Sequence, residues 1–112
     1  MVQTNPSDYK DLYIQTAKEY INKIAVSLDQ LSSDVSNKEA LNNLHIASHS
    51  LKSQSQVMGY NDISQLSKSL EEISNNALLT NNLLSNDIIV DIKKSFKELE
   101  EILKRVQDDT GK

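Results

Sequence analysis

Residues that make turns are almost absent from this chain. Its 112 residues include two glycines, Gly59 and Gly111, and one proline, Pro6. A β-sheet or α/β protein of this length reverses direction many times and draws on glycine and proline to do so. A chain with three such residues is suited to a few long helices instead. The same scarcity removes one class of chemistry. A phosphate loop needs closely spaced glycines whose backbone N–H groups cradle a nucleotide, so no ATP site is expected here.

Apolar residues are 38% of the chain and charged residues 25%, enough for one modest core and a single domain over residues 1–112. With no cysteine, there is neither a disulfide framework nor a thiolate metal site. The net charge of −4 comes from acids and bases mixed along the sequence. No basic stripe with interleaved aromatics appears, which argues against nucleic-acid binding. No run reaches the roughly 18 apolar residues of a membrane span. Met1 to Pro6 lacks the basic and apolar regions of a secretory signal. A cytoplasmic location and no membrane contact are the expectation.

Four segments carry the three-and-four apolar spacing of an amphipathic helix. The first covers about residues 7–31, with Ser7 as its N-cap and Leu12, Tyr13, Ala17, Tyr20, Ile21, Ile24, Leu28 and Leu31 on one face. The second covers about residues 37–58. It opens on a Ser36–Glu39 capping box, carries Ala40, Leu44, Ala47, Leu51 and Met58, and stops at Gly59. Asn61 or Asp62 then caps a third, about residues 62–75, with Ile63, Leu66, Leu70 and Ile73 as its seam. The Asn-rich stretch from Asn75 to Leu84 leaves open a loop or a short extra turn. The fourth covers about residues 85–107, burying Ile88, Ile89, Ile92, Phe96, Leu99, Ile102, Leu103 and Val106, before a frayed tail. Four such helices with short connections predict an all-α, antiparallel, up-down four-helix bundle.

The two histidines, His45 and His49, lie four apart on the second helix and share a face roughly opposite Leu44, Ala47 and Leu51. His49 therefore points away from the main seam, with His45, Lys52, Ser53 and Gln56 around it. The helical hairpin turns near Tyr60, so His49, eleven residues before it, lies level with Glu71, eleven after it. By the same counting Lys52 and Lys68 lie one level nearer the turn. A carboxylate beside an imidazole accepts the Nδ1 proton and leaves Nε2 as the nucleophile. An unperturbed imidazole, with a pKa of about 6.5, is largely neutral at pH 7 as nucleophilic attack requires.

His45 reads as a solvent-facing neighbour. A histidine pair four apart can bind zinc, but it needs further ligands, and no Glu follows His45 as in a metalloprotease helix; no metal is expected. Ser50 and Ser53 lack triad partners.

The stretch Leu44-His45-Ile46-Ala47-Ser48-His49-Ser50-Leu51-Lys52-Ser53, continuing through Val57-Met58-Gly59-Tyr60, resembles the phosphorylation-site helix of histidine phosphotransfer (HPt) domains. The pattern is His, any residue, Leu, Lys, a small residue, and Gly ten residues after the His. Leu66-Ser67-Lys68-Ser69-Leu70-Glu71-Glu72-Ile73 resembles the second site helix of that family. Asp8 to Ile14, with Ala17-Lys18-Glu19-Tyr20, is similar to the start of the N-terminal domain of CheA-type chemotaxis kinases. The resemblance covers nearly the whole chain.

It implies that His49 is the phosphoacceptor, that Glu71 orients the ring, that Lys52 contacts the phosphoryl group and that Lys68 sits at the site rim. His45, Ser53 and Gln56 would border the docking face. Ser53 stands where the family usually has glycine. The resemblance further implies a carrier that is not itself an enzyme and holds no cofactor. ATP and Mg²⁺ would be bound by a partner histidine-kinase domain. Receiver domains of response regulators, CheY-like or CheB-like, would take the phosphoryl group from an isolated domain that is a monomer. The rival reading is a non-catalytic helical adaptor that binds a partner helix in an apolar groove.

Overall fold

The protein is seen in a computed structural model that describes residues 6–80 and 84–108. Every regular element among them is a helix: α1 Pro6–Ser33, α2 Lys38–Met58, α3 Asn61–Thr80 and α4 Asn86–Asp108. Short connections make neighbours in sequence antiparallel neighbours in space. α2 packs against α1 and α3, and α4 closes the ring against both of them. This is the expected up-down bundle, 50 × 26 × 20 Å. Its core holds Ile24 and Leu31 of α1, Leu44 and Leu51 of α2, Ile63 and Leu70 of α3, and Ile92 and Leu99 of α4. None of the described helices is long and apolar enough to cross a membrane.

The helix ends differ from expectation in instructive ways. α1 starts at Pro6, one residue before Ser7, so Ser7 lies inside the first turn; proline tolerates that first position because its missing N–H has no helical partner there. At α2 the Ser36–Glu39 capping box does not form. Asn37 is the N-cap, its Oδ1 accepting the Ala40 N–H at 3.0 Å. Ser36 is engaged elsewhere, donating its backbone N–H to Asp34 Oδ1 at 3.0 Å in the preceding turn. The Ser36 hydroxyl donates to the same oxygen, and this bond together with the backbone one holds the Asp34 carboxyl below its usual range.

Gly59 does end α2, at φ +81°. Its N–H bonds the Gln56 carbonyl at 3.1 Å, and the Tyr60 N–H bonds that of Ser55 at 2.9 Å. α3 then begins at Asn61, so neither Asn61 nor Asp62 is the cap; the Tyr60 carbonyl accepts the first bond, from Ser64. α3 runs on to Thr80, and the Asn-rich stretch is helical that far because Ala77 extends the buried line of Ile63 and Leu70. Positions 81–83, the residues before Pro6 and the tail beyond Asp108 lie outside the described residues. At α4, Ser85 is the cap, its Oγ accepting the Ile88 N–H at 3.2 Å. Two residues expected in the core are exposed, Leu12 and Ile88.

One buried polar contact fastens α1 to the α2–α3 turn. Tyr13 shares a 2.7 Å hydrogen bond with Ser55 and stacks on Tyr60, with ring centroids 5.0 Å apart. Burial pushes the Tyr13 phenol above its ordinary value.

Candidate functional site

The α2–α3 hairpin positions the site. The Gly59 stop and the immediate restart at Asn61 leave little slack, so the rise of the two helices sets which residues meet. His49 and Glu71 do meet: the imidazole Nδ1 is in direct contact with Glu71 Oε2. The other carboxylate oxygen, Oε1, accepts a hydrogen bond from Lys52 Nζ at 2.6 Å. The three side chains are unequally exposed, at 57% for His49, 21% for Lys52 and 14% for Glu71. The imidazole is thus an open group on a sheltered base.

Electrostatics keep that base charged. Burial pushes the Glu71 carboxyl upward, but hydrogen bonds from Lys52 and His49, with the positive charge of Lys52, outweigh it and hold the group below its ordinary value. A carboxylate can only accept, so Nδ1 must carry the proton of the shared bond. In the neutral ring Nε2 then holds the lone pair, and among the described residues nothing bonds it. Chemically this is an oriented, solvent-facing nitrogen nucleophile beside a fixed anion.

The other predicted residues divide. Lys68 does not join the network. It is exposed and lies 4.0 Å from Glu72, an i,i+4 surface pair of small energetic value. His45 is half-buried rather than solvent-facing, with Nδ1 enclosed and without a hydrogen-bond partner among the described residues. Gln56 is exposed on the His49 face. Ser53 is half-buried and borders an apolar groove of about 420 Å³ between α1 and α2. Tyr9, Leu12 and Val57, all exposed, line that groove. The sequence reading missed the α1 contribution because it assigned Leu12 to the core. Its 61% exposure reflects a place at the edge of the stripe that Tyr13, Ala17 and Ile21 occupy. Among the described residues, no three His, Cys, Asp or Glu side chains group as metal ligands would.

A four-helix bundle with an exposed histidine held by a carboxylate defines a class, and comparison with known proteins identifies it. The Hpt domain family profile matches residues 8–109, and the chain belongs to that family. It is 25% identical over 100 residues to the chemotaxis protein CheA of Halobacterium salinarum, an alignment covering 89% of this chain and 15% of that protein. The chain therefore spans a small part of that relative's length. The CheA phosphotransferase domain from Thermotoga maritima has the same fold, with a TM-score of 0.84 at 20% identity over 92% of this chain and 98% of that one.

Proposed function

We propose that this Hpt domain carries a phosphoryl group on His49 Nε2 within CheA-like two-component signalling. The observation that carries the reading is the contact of His49 Nδ1 with Glu71 Oε2 on an otherwise open ring. In the first step the Nε2 lone pair attacks the γ-phosphorus of ATP held by a kinase domain, and ADP leaves. The Nδ1 proton stays on the ring, and Glu71 stabilises the positive charge that develops there. In the second step an aspartate of a receiver domain attacks the phosphorus in line, and the imidazole leaves with its lone pair restored. ATP and Mg²⁺ belong to the partner domains. This chain supplies a positioned nucleophile and a face to dock on, with Ser53 and Gln56 next to His49.

Lys52 serves the resting site by fixing the second oxygen of Glu71. Its ammonium, one turn from His49, is also within side-chain reach of a phosphoryl group on Nε2. The parent context is a CheA-type kinase acting in the cytoplasm.

The test is direct. The domain is incubated with ATP, Mg²⁺ and a CheA-type kinase core, and the product is assayed for phosphate that is acid-labile and base-stable. Wild type is expected to label and His49→Gln to remain unlabelled. Equal labelling of the two would refute the assignment.

A further inference from the structure

Ser74 lies one turn beyond Glu71 on α3 and is fully buried. Its hydroxyl reaches two carbonyls at once, that of Leu70 and that of Glu71 itself, each at 2.9 Å. Thr16, Ser27, Ser32, Ser69 and Thr80 also bond back along their helices, but each to the single carbonyl four residues earlier. The Ser74 bond is thus unlike its counterparts in being shared and in ending on the residue that holds His49.

A small side chain is all that packing requires at this position, and alanine would supply it with better helix propensity. The hydroxyl therefore calls for its own explanation. Serine back-bonding changes the local winding of a helix, and a buried hydroxyl has no water to turn to instead. Here the affected turn carries Glu71, whose short side chain must span from α3 to α2 to meet the imidazole. We infer that Ser74 is a positioning residue: its hydroxyl sets the backbone at Glu71 so that the carboxylate meets His49 Nδ1. The functional meaning of this inference rests on the phosphocarrier reading; its structural content does not.

The experiment pairs Ser74→Ala with Glu71→Ala, each alone and together. The readouts are ¹⁵N NMR of the His49 ring, urea unfolding, and the rate of phosphorylation by a kinase core. Ser74→Ala is expected to be as stable as wild type or more so. Its imidazole signals should nonetheless shift away from the Nδ1–H form, and its phosphorylation should slow by about three- to tenfold, the scale of a small misplacement. In the Glu71→Ala background, which leaves no acceptor to position, Ser74→Ala should add no further slowing. An unchanged imidazole spectrum overturns the inference, as does an equal effect of Ser74→Ala with and without Glu71. If wild type takes no phosphate, the carrier reading fails, while the ring spectra still decide the part played by Ser74.

Discussion

At the scale of single residues, the candidate site is an open imidazole, a carboxylate that holds it and a lysine that holds the carboxylate. His49 is open to solvent, while Glu71 and Lys52 are sheltered beside it. The linkage between charge and folding follows from the lowered Glu71 carboxyl. A carboxyl with a depressed folded-state value stabilises the fold fully above the unfolded value, about 4.3 for Glu. That contribution disappears as pH falls through the folded value. Glu71→Gln is therefore expected to be less stable than wild type at pH 7, with the gap closing in acid. Urea midpoints measured from pH 7 to pH 3 check this, and a gap of constant size would contradict the ion pairing. The same variant should remain folded yet accept phosphate more slowly, since a Gln amide can orient the ring but supplies no charge.

At the scale of elements, helix ends follow local competition for hydrogen bonds. Ser36 and Asn37 are both good N-caps, and the outcome turns on Asp34, which occupies Ser36 and leaves Asn37 to cap α2. Asn37→Ala should cost about 1 kcal/mol of stability, measured by urea unfolding, whereas Glu39→Ala should cost clearly less because no capping box exists. The Gly59 stop was legible because a left-handed residue at that place favours glycine. The extension of α3 to Thr80 was not. The asparagine-rich stretch left a loop open, and Asn75 and Asn76 are helical because Ala77 beside them finds cover in the bundle.

At the scale of the molecule, α2 is the element on which the others converge, with α1 on one side and α3 on the other. Leu51 is fully buried two residues from His49, on the opposite side of the helix. Leu51→Ala should lower stability by about 2–5 kcal/mol, a large share of the 5–15 kcal/mol typical of a domain, as read by chemical denaturation. A smaller loss, under about 1 kcal/mol, would mean that the core between α1, α2 and α3 collapses easily around the gap. The apolar groove beside Ser53 also belongs to this scale, since it exists only where α1 meets α2.

The number of helices, the face each one buries and the level match of His49 with Glu71 could all be read from residue order. Each depends on the fixed rise and period of one helix or of one tight hairpin, which are local properties of the backbone. The capture of the second Glu71 oxygen by Lys52, the exposure of Leu12 and Ile88, the half-burial of His45 and the double bond-acceptance by the Leu70 and Glu71 carbonyls from Ser74 could not. These depend on which neighbouring helix covers a side chain and how closely. Packing settles that among four helices at once, and no periodicity within one of them encodes it.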